Sequence, residues 1–333
     1  MGKYLLKRFL SLIPVAFIIS IILFIIVTNV PGDPVDLAYS HLYGDPMFRG
    51  AEGAIRLEEF KAQKREELGL NDGDIVRYVR WIGRSIQGDF GYSPNHDKPV
   101  SEVIKEPLKI SIIVNVISLI LSFTIAIIVG IKSALKRFSF YDSFWQVTSL
   151  VFMSMPTFFI GLSLIFLFPI TLGWLEFGGL PPVQSGLNIF EEIWRWVRHL
   201  TLPIITLTIG SLAGTIRYVR NAMIEVLKKD YIRTARAKGL REKVVIYSHA
   251  FRNALIPVVT IVAGSLVGIF GGSAITESVF AINGIGSILI KALNDRDYNI
   301  VLTMNLFYAL LALLANIIMD ISYAFVDPRV KLD

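Results

Sequence analysis

No cysteine occurs in the 333 residues, which excludes a disulfide framework, thiolate metal sites, a cysteine nucleophile and lipid anchors on cysteine. Charge is scarce too. Only 18% of the residues are charged against 53% hydrophobic, the wrong balance for a soluble chain of this length. The four histidines, His41, His96, His199 and His249, lack His-x-x-x-His zinc spacing and show no nucleophile partner. The only Gly-Lys pair is Gly2-Lys3, so the chain lacks the Gly-x-x-x-x-Gly-Lys-Ser/Thr loop that cradles nucleotide phosphates. No catalytic residue, metal site or cofactor site is expected in this chain.

What is present is a series of charge-free windows. A helix needs about 20 apolar residues to cross roughly 30 Å of hydrocarbon. Phe9 to Val30 and Ile110 to Ile131 supply 22 each, and Ala254 to Thr276 supplies 23. Ser143 to Leu175 is free of charge for 33 residues, too long for one straight crossing, with Pro156 and Pro169 as places to kink or end. The third span is set at about Phe144 to Leu172. Leu200 to Ile216 is a fourth, with Pro203 suited to its first turn, and its helix is expected to continue through Arg217 and Arg220. A sixth runs from about Ile300 to Val326 with one charge, Asp320. The N-terminal window lacks a small-x-small cleavage pattern and reads as an uncleaved signal anchor.

Short cytoplasmic loops collect Lys and Arg. With the N-terminus inside, 18 of the 33 basic residues fall in inside segments, and 11 of the others lie in the long 31–109 segment, whose length exempts it. The expected protein is all-α, with six transmembrane helices and both termini cytoplasmic. Its parts are an N-terminal tail and first helix (1–30), a small, mainly helical extracytoplasmic segment (31–109) and a five-helix core (110–333) with an inside loop at 217–253. In that segment Ile75, Tyr78, Val79, Ile82 and Ile86 share one helical face after Asp74, a possible cap. The inside loop carries ten basic residues against three acidic ones, which topology explains without nucleic acid.

The inside loop also has structure in its sequence. Asp230 suits an N-cap, Lys238 the last turn and Gly239 the left-handed position that ends a helix, bracketing Tyr231 to Lys238. At 1.5 Å per residue such a helix is about 12 Å long, too short to stand alone in water. Either it is a solvated basic loop, or it rests on the bundle and docks into a groove of a cytoplasmic partner. Within the membrane, Gly264, Gly268 and Gly272 recur every four residues, which suits close helix packing or a flexible gate. Asn316 and Asp320 lie one turn apart on the sixth span; the acid pairs structurally or serves a substrate or proton path. Glu277 is placed near the outer surface, where it could face a solute with Asp295 and Asp297.

These residues resemble a known family, the first of the two membrane permeases of dipeptide, oligopeptide and nickel ABC importers. The resemblance runs along nearly the whole chain. It is carried by Pro31-Gly32-Asp33-Pro34, Gly88-Asp89-Phe90-Gly91-Tyr92-Ser93, Met155-Pro156-Thr157-Phe158, Asp230-Tyr231-Ile232-Arg233-Thr234-Ala235-Arg236-Ala237-Lys238-Gly239-Leu240, Glu277-Ser278-Val279-Phe280, Asn283-Gly284-Ile285-Gly286 and Arg296-Asp297-Tyr298. The wider importer class is marked by Glu-Ala-Ala, three residues, then Gly, with Ile-x-Leu-Pro beyond. Here Arg233-Thr234-Ala235 stands at the Glu-Ala-Ala positions and Pro257 comes later than in that pattern, a longer form that the peptide branch shares.

The resemblance implies the type I importer permease fold in a prokaryotic cytoplasmic membrane. It implies a second permease, in a heterodimer, completing the pore. Two cytoplasmic ATPases would bind ATP and Mg, and an extracytoplasmic binding protein would deliver solute, with di- or oligopeptides expected. Asp230, Tyr231, Arg233, Thr234, Ala235, Arg236, Lys238 and Gly239 would then form the ATPase-docking surface. Two other readings remain, a secondary transporter acting alone and a membrane receptor or scaffold using 31–109.

Overall fold

A computed structural model describes residues 2–326 apart from 34, 37, 38, 68, 183 and 185, and the side chains of these except at 2–7, 41, 256, 257, 259, 260, 263, 266, 267 and 320–326. The chain opens with α1 (Gly2–Thr28), whose stretch Arg8–Thr28 is long and apolar enough to cross a bilayer. Two short 3-10 turns lead to α2 (Gly50–Glu67), stopped beside Gly69 at φ +65°, and then to α3 (Asp74–Ile86). Gly73, not Asp74, is the N-cap of α3. A hairpin of β1 (Tyr92–Ser93) and β2 (Lys98–Pro99) pairs antiparallel, Tyr92 opposite Pro99.

The hairpin runs straight into α4 (Val100–Leu135), 36 residues long. At 1.5 Å per residue α4 extends about 54 Å, well beyond the hydrocarbon, so the expected boundary at 109 falls inside one continuous helix. Ser139 caps α5 (Phe140–Ser154), which is followed by α6 (Thr157–Ile165) and a π-helical turn Phe166–Leu172. The axis turns by 100° at Met155–Pro156, so the third expected span is a broken element, not one kinked helix. Pro156 causes the break by removing a backbone donor and disfavouring helical geometry at Met155, which is extended.

α7 (Ile189–Leu227) passes through Arg217 and Arg220 as the sequence predicts, but starts far earlier than Pro203. A capping box sets that start: Glu191 N–H donates to Asn188 Oδ1, and Asn188 N–H to Glu191 Oε2. Pro203 lies buried inside the helix. Beyond come α8 (Asp230–Ala237), a helical stretch Glu242–Phe251 ending in π geometry, and α9 (Arg252–Gly271). Gly272 at φ +65° ends α9, five residues short of the expected Thr276. α10 (Ala274–Val279) and α11 (Ile285–Asn294) then form a folded turn before α12 (Tyr298–Val326).

Among the described residues, four helices are long and apolar enough to span a membrane, with α5 and α6 as a bent fifth element. The centre is α4 packed along α7, with α9 against α4, α7 and α12, and α1 against α12. The segment between α1 and α4 is stitched to these helices by polar contacts. Tyr298 Oη donates to the carbonyls of Val30 and Gly32, Asn299 Nδ2 donates to Tyr92 O at 2.7 Å, and Ser93 Oγ donates to the Asp297 carboxylate. Two distant stretches of the family resemblance, Gly88–Ser93 and Arg296–Tyr298, therefore meet in space. Lys61, fully buried, pairs with Asp36 at 3.0 Å and holds the loop before α2 against that helix.

Candidate functional site

α8 is built as the sequence predicts, displaced by one residue. Lys229 is the N-cap and Asp230 the first helical residue, where its carboxylate still favours the positive helix end. At the other end Leu240 N–H donates to Ala235 O and Gly239 N–H to Arg236 O, a Schellman closure with Gly239 at φ +74°. Ile232, with no exposed surface, and Ala235 point inward onto Ile131, Val219, Met223, Val245 and Ala254. This apolar seat gives an eight-residue helix the stability it lacks alone.

The remaining predicted residues face outward. Asp230, Tyr231, Arg233, Thr234, Arg236, Lys238 and Gly239 are exposed, whereas Ala235 is a packing residue and contributes to no docking surface. Arg236 is partly committed: its Nη2 and Nε donate to the Glu242 carboxylate at 2.7 and 3.2 Å. That guanidinium holds the Glu242 carboxyl below its usual range. Thr234 Oγ1 donates back to Asp230 O, and Arg233 keeps only a loose, exposed pair with the Asp230 carboxylate at 3.6 Å, so Tyr231, Arg233 and Lys238 are the outward groups.

Sequence reasoning missed the clamp behind this surface. Arg220 Nε and Nη2 donate to Asp142 Oδ1 and Oδ2 at 2.6 and 2.7 Å, a bidentate fork joining α7 to the start of α5. Asp142 is 2% exposed and also accepts from Phe138 N–H. The available signal was an isolated acid after three bases in 132–142, together with an arginine that has no acid three or four residues away on its own helix to pair with.

At the opposite end, Glu277 does not face a solute. It is buried, with Oε1 accepting from Ser111 Oγ at 2.7 Å and Ser273 N–H at 3.1 Å, and Oε2 from Ser287 N–H at 2.8 Å. Ser111 Oγ in turn accepts from Ile285 N–H at 2.9 Å. The carboxylate thus ties α4, α10 and α11 into one knot. Gly284 is required there, since a Cβ would come 2.2 Å from Glu277 Cδ. Asp297 is likewise buried and hydrogen-bonded, while Asp295 is half-buried.

Gly264 and Gly268 lie exposed on α9 with open space where a Cβ would stand, and Gly272 ends the helix instead of continuing the stripe. Only Gly272 meets another element closely, since a Cβ there would come 2.7 Å from Gly286 N, so among the described residues the three glycines do not form one packing face. Asn316 is exposed on α12, and the side chain of Asp320 lies outside the described residues. No group of three potential metal ligands occurs among the described residues.

Comparison with known proteins adds two findings. The family model described as binding-protein-dependent transport system inner membrane component matches residues 112–332. The chain is 37% identical over 332 residues to the oligopeptide transport system permease protein AppB of Bacillus subtilis, covering 99% of this chain and 100% of that one. It is 35% identical over 345 residues to the dipeptide transport system permease protein DppB of Alkalihalophilus pseudofirmus, covering 99% and 100% respectively. A probable peptide ABC transporter permease protein of Sinorhizobium fredii is 34% identical over 331 residues, at 99% and 100% coverage.

Proposed function

Because the chain belongs to the family of binding-protein-dependent transport system inner membrane components, we propose that it is a peptide importer permease coupled to ATPases through α8. The permease itself is non-catalytic; hydrolysis belongs to partner ATPases. The observation that carries the coupling assignment is the division of α8: two side chains lock it to the bundle, and Tyr231, Arg233 and Lys238 stand outward to meet a partner. A helix held this way moves with the helices it sits on. Closure of the ATPase pair would push α8 as a rigid lever and, through α7 and α9, tilt the spans between inward-open and outward-open arrangements.

In this reading the six expected spans cross the membrane with both termini cytoplasmic, and 31–109 lies outside, where the solute-binding protein docks. The open glycine positions of α9 supply room for a second, different permease to approach. The relatives' names supply the substrate class, di- or oligopeptides. The test is labelled-peptide uptake in liposomes, comparing the chain alone with the chain plus its co-purifying permease, ATPases and binding protein. Uptake only by the full assembly is expected. Uptake driven by an ion gradient through the chain alone would overturn the assignment.

A further inference from the structure

Among the described helices α3 is the most strongly amphipathic, and its two faces do different things. At 100° per residue Ile75, Val79, Ile82 and Ile86 fall on one side and Arg77, Arg80 and Arg84 on the other. Tyr78 and Trp81, between these faces, pack on Phe17 and Phe24 of α1, and Tyr78 Oη lies 2.8 Å from Ser20 Oγ. Ser20 is eight residues below the end of α1, so α3 is anchored about 12 Å down a membrane-crossing helix. Yet Ile75 and Ile86 are 81% and 80% exposed. An apolar face this open, at this depth, belongs to an interfacial helix lying in a bilayer.

Beneath α3 is a cavity of about 480 Å³, walled by α1, α4, α11 and α12 and almost wholly apolar. Its rim residues Ile13, Phe17, Ile86 and Leu310 are exposed, which opens it sideways between two helices that cross the membrane. Two hydroxyls that line it, Ser85 Oγ and Thr303 Oγ1, are buried without a hydrogen-bond partner. On the other side of α3 a polar recess of about 220 Å³ is lined by Arg77, Arg80 and Arg84 beside Trp81 and Tyr298. Arg77 and Arg80 each pair with an aspartate, while Arg84 makes no ion pair among the described residues. Glu67 and Asp89 also line the recess, but Lys64 holds the first and Gly91 N–H donates to the second.

We propose that this cavity is a phospholipid site, with an acyl chain under α3 and the phosphate at the level of its arginines. An apolar slot on one side of α3 and a guanidinium layer on the other match the two halves of such a molecule, and Arg forks suit phosphate oxygens. The site would seal the groove between α1 and α12 and hold the 31–99 segment against the membrane. It rests on the membrane embedding of the family, not on the peptide or coupling assignments.

The test begins with the intact transporter, purified and delipidated stepwise in detergent, with retained phospholipid counted by native mass spectrometry. One phospholipid per copy of this chain is expected to resist removal, and Thr303→Trp, which fills the cavity, to lower retention about tenfold. Equal retention by an assembled Thr303→Trp transporter would overturn the site. Displacement of the lipid by a hydrophobic dipeptide, or saturation by detergent alone, would do so too. Since this chain has no cysteine, Ile86→Cys and Arg84→Cys give a second measurement that does not depend on Thr303→Trp folding. Bimane at Ile86→Cys should be quenched by brominated-chain phosphatidylglycerol in nanodiscs, and Arg84→Cys should react faster with an impermeant maleimide. Unquenched fluorescence with equal labelling would remove α3 from the bilayer.

Discussion

The molecule buries a carboxylate at each end of its bundle, and the two are satisfied in opposite ways. Glu277 is met by neutral donors, one serine hydroxyl and two backbone N–H groups, drawn from three elements that fold tightly around it. Asp142 has one backbone donor, Phe138 N–H, and is otherwise met by a guanidinium, a long side chain reaching from α7. Backbone donors fix a carboxylate in a knot that changes shape only by unfolding. An arginine fork can pivot while keeping its charge paired, so α5 and α7 can stay joined through a change of tilt. The fork lies on the same helix that leads into α8, where the proposed coupling would require movement, and the knot lies where α4, α10 and α11 meet.

The largest effect is expected from Asp142→Ala, which leaves the partly buried Arg220 without its counter-charge. Breaking a buried pair from one side costs about 3–5 kcal/mol. The variant should lower the thermal midpoint of the purified transporter strongly, and Arg220→Lys with Asp142 intact should lower it less, because one ammonium keeps the charge but cannot form the fork. A midpoint unchanged in Asp142→Ala would show that the clamp holds nothing.

Glu277→Ala comes next. It orphans two backbone N–H groups, at about 1–3 kcal/mol for each buried group left unsatisfied. Glu277→Gln keeps an acceptor for one side and should fall between. If Glu277 served the solute instead, the alanine variant would assemble normally and change which peptides are taken up, and uptake competition assays would detect that.

Gly239→Val separates the lever from the seat. No atom lies within 4 Å of the added Cβ, so the expected cost is backbone strain alone, about 1–2 kcal/mol for a β-branched residue held at φ +74°. Assembly should survive, and ATP hydrolysis should proceed with less uptake per turnover as the end of α8 shifts. Wild-type coupling in this variant would detach α8 from the proposed role.

How much of this was legible beforehand follows from the kind of signal each feature leaves. α8 was readable to within one residue because caps and a glycine stop are local chemistry, encoded beside the helix they bound. The long course of α7 through Arg217 and Arg220 was readable because the apolar window 200–216 is short for a crossing, although its capping box at Asn188 was overlooked in favour of Pro203. The 100° turn at Met155–Pro156 was not, since an uncharged window reports solubility in lipid and carries no direction. Nor could spacing reveal that Gly264 and Gly268 face open space, because a small-residue stripe looks alike whether its partner is in the same chain or another. Glu277 was misplaced because its partners, Ser111 and Ser287, lie 166 and ten residues away.

The smallest effect concerns Asp297, which stands between the two cases: buried like Glu277, but held by Ser93 and the start of α12 with His96 and Asp295 nearby. Burial raises its carboxyl above the ordinary value of 3.8, outweighing the hydrogen bond from Ser93. The folded state therefore binds the proton more tightly than the unfolded chain. Its contribution to stability is greatest below 3.8 and falls as pH rises from there through the raised value. Hydrogen exchange at Ser93 to Val100 should accordingly quicken as pH climbs through that window, beyond the intrinsic chemical rate. In Asp297→Asn the excess should vanish. Identical corrected profiles in both proteins would mean that the hairpin is held by Asn299 on Tyr92 O and Asn95 on Asp295 O alone.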